Sequence, residues 1–332
     1  MNWVARRSMK VAVGIATGVI ILSAAPSSAA SGIFDFPVDP ASAPDVYRDI
    51  PGTDITFDAA AGEKSYLWSR NLTTSSLNAL SAGDNIGLTF AIRCRYADGS
   101  RFTEGTEAGA YWAANLVPPS EKTLTPGLRW LFTAPDTGRY TCRLSVVAYS
   151  SIIKDGHEVT MRIPSGAELA RLSTPTAARW TLPAQSSVSV PRGSTATTLG
   201  YSYTPAAAGE QITVVQDANL TTCILNSRIC SGGTAAYKYT QAETWIEAQP
   251  QMPDGATCGG PIKGPSAQWN ITDARHHQAA TNTLKLTKSQ LGGCTQIRTT
   301  LKVKNTEGNP VKIHAGLASE GVAATHGLAY TN

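Results

Sequence analysis

The stretch Leu88-Thr89-Phe90-Ala91-Ile92-Arg93-Cys94-Arg95-Tyr96 decides the fold, and it is closed by the turn-forming pair Asp98-Gly99. Successive side chains of a strand point to opposite faces. Leu88, Phe90, Ile92, Cys94 and Tyr96 therefore share one face, and Arg93 and Arg95 lie on the other. Tyr140-Thr141-Cys142-Arg143-Leu144-Ser145-Val146 repeats the pattern, with Tyr, Cys, Leu and Val opposite Thr, Arg and Ser. Both cysteines point inward, where they can meet. Working outward, short period-2 runs recur over residues 53–174 between Gly, Pro, Asp and Ser clusters, which are strand boundaries. The one helical feature expected here is a brief turn at 167–172. This is a β domain.

Asp136-Thr137-Gly138-Arg139-Tyr140-Thr141-Cys142, preceded by the alternating Leu128, Trp130 and Phe132, resembles the strand E to strand F corner of immunoglobulin-like domains. The resemblance covers about residues 84–163. It implies that the Tyr140 hydroxyl braces the corner, and that Cys94 and Cys142 form a disulfide tying two sheets together. Trp112, or Trp130 in its place, would be the core tryptophan. A fold of this kind implies no function by itself.

The second half reads the same way. Pro164, Pro175, Pro183 and Pro191 punctuate a Ser, Thr and Ala-rich passage, which places a boundary near 175. Strands are expected at 212–215, 234–248, 284–286, 297–304 and 311–315, the last two forming a hairpin around residues 305–310. A second β-sandwich over 175–332 follows, without a counterpart of the D-x-G-x-Y-x-C run. Ahead of both, residues 31–52 carry Pro37, Pro40, Pro44 and Pro51. They read as an extended lead-in outside the core, since each proline lacks a backbone donor.

Residues 1–30 form a separate segment. Arg6, Arg7 and Lys10 precede an apolar run at 11–25, and Ser28-Ala29-Ala30 is a small-x-small site, so the pattern is a signal peptide cleaved after Ala30. The apolar run falls short of the roughly 20 residues that span a bilayer, and its Ala, Gly and Val composition looks bacterial. With it removed, 25 basic residues face 24 acidic ones. That balance gives no electrostatic case for nucleic acid or an anionic membrane, and no integral membrane span is expected in the exported chain.

Six cysteines, Cys94, Cys142, Cys223, Cys230, Cys258 and Cys294, all lie beyond the leader at separations of 48, 81, 7, 28 and 36. None has the two-residue spacing of zinc knuckles or redox motifs. An even number in an exported chain reads as three disulfides. Fifteen connectivities are open; pairing within domains favours Cys94 with Cys142, Cys223 with Cys230, and Cys258 with Cys294.

One stretch offers a binding surface. In Tyr237-Lys238-Tyr239-Thr240-Gln241-Ala242-Glu243-Thr244-Trp245-Ile246-Glu247, a single strand would put Tyr237, Tyr239, Glu243, Trp245 and Glu247 on one face and Ala242, Thr244 and Ile246 on the core side. Such an aromatic and acidic strip could stack sugar rings or dock a protein surface. The competing reading puts the aromatics in the core and bends the carboxylates out. Glu243 and Glu247 would stand about 13 Å apart along a strand, too far for a glycosidase pair. Glu104 and Glu107 read as loop residues. His276 and His277 are adjacent and diverge, which makes a poor chelating pair. His157, His314 and His326 are isolated. No nucleophile elbow, zinc-protease motif, P-loop or dinucleotide fingerprint occurs. The sequons at Asn71, Asn219 and Asn270 matter only in a glycosylating export route.

The expectation is an all-β chain of two tandem β-sandwich domains, the first immunoglobulin-like, behind a cleaved signal peptide. It would be a secreted or cell-surface, noncatalytic binding or structural protein of a bacterial envelope, without cofactor or metal. Its partner would be an envelope polysaccharide or another surface protein. The rival is a secreted hydrolase with an active site between the domains.

Overall fold

The computed structural model describes residues 32–40, 47–78, 86–100, 108–116, 122–150, 159–183, 186–224, 230, 232–315 and 325–332. Residues 1–30, Glu104, Glu107 and His157 lie outside the described residues. Almost all regular structure is β. It forms five sheets arranged as two β-sandwiches with separate hydrophobic cores.

In the first sandwich a six-stranded sheet is built on the long strands Ile86–Tyr96 and Gly138–Ser150. They pair antiparallel from Tyr140 opposite Tyr96 to Tyr149 opposite Gly87. Their alternating apolar residues, including Phe90, Ile92, Leu144 and Val146, meet Leu67, Phe132 and Leu169 of a three-stranded sheet and Phe36, Met161 and Ile163 of a four-stranded one. The inward faces assigned from sequence are the buried ones.

Tyr140 braces the corner as the resemblance implies. Its hydroxyl donates to the Asp136 carbonyl and accepts the Asp136 N–H at 3.2 Å. Tyr140→Phe is expected to remove about 1 kcal/mol, seen as a lower urea midpoint at unchanged slope; an unaltered midpoint would contradict the bracing role.

Four expectations about the fold are corrected. Cys94 and Cys142 do pair, but they stand directly opposite each other on neighbouring strands of one sheet, with Cα atoms 4.0 Å apart. The disulfide thus clasps two strands instead of joining two sheets, and Trp130, partly buried, packs on Phe132 at the core margin. The lead-in is core: Phe34–Pro37 pairs with Thr160–Ile163, and Phe36, Val38 and Ile50 are buried. Pro37 and Pro40 end the strands Phe34–Pro37 and Asp39–Pro40, where a missing N–H is tolerated. Residues 167–172 are not helical, since Glu168–Ser173 pairs with Lys64–Arg70. Finally, Gln296–Gly308 and Val311–Ile313 do not form a hairpin, because they belong to different sheets. Gly308, at φ 88°, begins the passage between them, and a side chain there would collide with the Tyr239 carbonyl.

The second sandwich packs an inner sheet, centred on Gln211–Thr222, against an outer sheet centred on Tyr239–Gln251 and Gln296–Gly308. The outer face of the inner sheet is itself covered by the first sandwich. Val215, Leu328 and Tyr330 meet Tyr66 and Leu131 across this seam, and Ala279 enters the first core. The four layers leave Gln211–Thr222 buried on both sides. Among the described residues the far face of the outer sheet has no sheet packed on it, and the strip singled out from sequence lies there.

The other two disulfides join Cys223 to Cys230 and Cys258 to Cys294. Three disulfides belong to an oxidising compartment. No helix among the described residues is long and apolar enough to cross a membrane.

Candidate functional site

Ala242, Ile246 and Ala248 enter the second core from Tyr239–Gln251, which turns Tyr239, Gln241, Glu243, Trp245 and Glu247 to the other face. The alternation expected from sequence is therefore present, with one change: the strand starts at Tyr239, and Tyr237 belongs to the preceding turn. Tyr237 still joins the strip, its ring edge-on to Tyr239 with centroids 6.0 Å apart.

Each aromatic has a polar partner. The Tyr239 hydroxyl donates to Glu307 at 2.7 Å, which raises its pKa above the ordinary phenolic range because ionisation would set it against that carboxylate. Arg192 donates to the Tyr237 hydroxyl at 2.6 Å. Trp245 is 9% exposed. Its indole donates to Glu247 at 2.9 Å, and the Lys263 ammonium sits 4.4 Å from its ring centroid, a cation–π arrangement. Burial opposes ionisation of Glu247, but hydrogen bonds from Trp245 and Lys302 outweigh it and hold the group below its usual pKa. An ionised, salt-bridged Glu247 is a hydrogen-bond acceptor rather than an acid. The two tyrosines are half-exposed, so they and not Trp245 are the open aromatic surfaces of the strip.

Two further clusters carry residues that sequence reading missed. At the seam, the Arg129 guanidinium grips Asp217 through Nε and Nη2. It also donates to the Thr283 hydroxyl at 2.6 Å and the Asn282 carbonyl at 3.0 Å, while His326 donates to the Arg129 carbonyl at 2.8 Å. Arg129 and Asp217 are 88 residues apart, and no local pattern connects them. Among the described residues Asp217 is the one buried carboxylate. Its hold on Arg129 makes the cluster a clamp between the sandwiches.

The second cluster converges on the buried Thr221 hydroxyl, which is 2.7 Å from His277 Nδ1 and 2.6 Å from His314 Nε2. The hydroxyl has a single proton, so it donates to one ring and accepts from the other. The His276 ring lies tilted beside His277 at 4.2 Å between centroids, and Lys312 stands opposite Thr221 on the adjoining strand. Among the described residues no group of His, Cys, Asp or Glu could hold a metal ion. Burial, then the neighbouring His276 and His314, keep the His277 pKa well below 6.5. The unfolded chain accordingly takes up a proton that the folded one refuses. Stability is expected to be intact above about pH 6.5 and to fall as pH drops below it. Urea midpoints at about pH 7.5 and about pH 5 read this, and His277→Gln should flatten the difference; an equally steep profile in the variant would exclude His277 as its source.

No protein-family model matches the chain, and no curated protein matches it in sequence. Solved structures with a similar arrangement include PNGase F, a glycosylasparaginase from Flavobacterium meningosepticum, at 12% identity and TM-score 0.33, over 91% of this chain and 96% of that one. The infectious bursal disease virus Gt strain structure aligns at 12% identity and TM-score 0.27, over 89% and 80%. The mavirus major capsid protein aligns at 9% and 0.17, over 99% and 90%. Likenesses this distant carry no argument about activity or partner.

Proposed function

We propose that the protein is exported behind a signal peptide comprising residues 1–30 and acts, without catalysis, as a binding or structural protein of the bacterial envelope. Its ligand-facing surface is the open face of the outer sheet in the second sandwich, and its partner is an envelope polysaccharide. The observation that supports this reading best is the fixed placement of Tyr237 and Tyr239, half-exposed and perpendicular, beside the carboxylate of Glu307, with Glu243 further along the same face. Aromatic faces offer contact area for sugar rings, and carboxylates accept from their hydroxyls. The three disulfides favour an extracellular setting. In this reading the first sandwich, with its immunoglobulin-like tyrosine corner, is a rigid carrier clamped to the binding sandwich by Arg129. The hydrolase reading is weaker, since Asp217 is committed to Arg129 and Glu247 to Lys302.

A pull-down of the protein with whole envelopes and isolated polysaccharide fractions, beside Tyr239→Ser, tests the reading. Saturable retention is expected, weakened about tenfold in the variant, or about 1.4 kcal/mol, with the thermal midpoint unchanged because the ring is half-exposed. Retention that Tyr239→Ser leaves intact would place binding elsewhere, and no retention on any fraction would contradict the function.

A further inference from the structure

We infer that the polysaccharide is an acidic one, and that Arg192 receives its carboxylates at the end of the strip; the inference rests on the binding face proposed above. Two buried asparagines build the receiving end. The backbone of Asn305 accepts from Gly193 at 2.8 Å and donates to Ser194 at 3.0 Å, and its side chain donates to the Val190 carbonyl at 3.1 Å. Asn309 accepts the Thr234 N–H at 2.9 Å and donates to the Tyr237 carbonyl at 3.0 Å. The end of the strand Gln296–Gly308 and the residue that follows it thereby fix the turn that carries Arg192 and the turn that carries Tyr237. The two meet at a 2.6 Å hydrogen bond from Arg192 Nη1 to the Tyr237 hydroxyl.

That bond orients the guanidinium without neutralising it. Arg192 is exposed, and among the described residues no carboxylate lies within ion-pair distance of it. A guanidinium has five N–H donors in a planar fork that matches a carboxylate bidentately. The remaining donors of Arg192 are thus available beside two tyrosine rings set edge to face, a combination that fits a ring bearing a carboxylate. Charge along the face agrees. Lys304 and Arg298 point outward from Gln296–Gly308, and Lys263 caps Trp245. Lys302 and Lys263 both act on Glu247, and Lys304 stands across from Glu243 on the neighbouring strand. Among the described residues the open face carries Arg192, Lys263, Arg298, Lys302 and Lys304 against Glu243, Glu247 and Glu307, an excess that would attract an anionic chain.

Equilibrium binding of the intact protein to polygalacturonate, dextran and polyglutamate tests this. Saturable binding to polygalacturonate is expected, weakening with added salt and at least tenfold stronger than to either other polymer. Arg192→Gln should reduce it about tenfold, and Arg192→Lys should recover part of the loss. Tyr237→Phe, which keeps the ring and drops the hydroxyl that orients the guanidinium, should fall between. Equal affinity for dextran would overturn the acidic preference while leaving polysaccharide binding standing. Equal affinity for polyglutamate would show charge alone at work and overturn the sugar contact. Undiminished binding by Arg192→Gln would remove Arg192 from the site, and no binding to polygalacturonate would overturn the inference.

Discussion

Asp217→Ala is expected to lower stability by about 3–5 kcal/mol, because it strands a buried guanidinium without its counter-charge. The Arg129 and Asp217 side chains are 14% and 7% exposed, so water does little to replace the lost carboxylate. Arg129 also anchors Thr283 and the Asn282 carbonyl, and its own carbonyl receives His326. The variant therefore disturbs three strands of the second sandwich at once. Replacing both charges, as in Arg129→Met with Asp217→Leu, should recover most of the loss, since two apolar groups leave no buried charge unmatched. Urea unfolding reads both proteins. A loss below about 1 kcal/mol in Asp217→Ala would mean that the pair behaves as a solvent-exposed ion pair and does not clamp the seam.

The second large effect is expected from Cys94→Ala with Cys142→Ala. The bond closes a separation of 48 residues, and releasing that constraint on the unfolded chain is expected to remove about 4 kcal/mol on the chain-entropy account. Its place across two adjacent strands bears on how the loss is read. The ladder that flanks it runs in unbroken register from Tyr140 to Tyr149, so the native sheet should survive and the change should fall on the unfolded state. Cys223→Ala with Cys230→Ala, which opens a separation of only 7 residues, should remove less, about 2 kcal/mol. Equal losses, or the reverse order, would show that native packing around the sulfurs and not loop closure sets their contribution.

The strands were legible because their alternation is a local property. The faces read at Leu88, Phe90, Ile92 and Cys94, and at Ala242 and Ile246, are the buried ones. The pairing of cysteines was legible too, since proximity along the chain narrowed the choices. What alternation cannot convey is which strand lies next to which. Two inward cysteines fit facing sheets and neighbouring strands equally well, and two consecutive strands fit a hairpin and a change of sheet equally well. The same limit hid the clamp and the Thr221 cluster, whose members lie far apart along the chain. The lead-in was misread for another reason. Its prolines drew attention to missing donors, while Phe34, Phe36 and Val38 already alternated in strand fashion, and Phe36 and Val38 are buried. In the strip, the face of Trp245 was legible but its cover was not, because Lys263 arrives from another strand.

Hydroxyl-radical footprinting of the protein with and without envelope polysaccharide tests the central claim most directly, because it reports the exposure of individual side chains. Tyr237 and Tyr239 start half-exposed and Trp245 nearly covered. Bound polysaccharide is expected to slow oxidation of both tyrosines severalfold, a loss of access comparable to burial in an interface, while Trp68, which stacks on Tyr66 at the seam, stays unchanged. Protection of seam residues with Tyr237 and Tyr239 left at their free rate would contradict the account and move the binding surface to the junction of the two sandwiches.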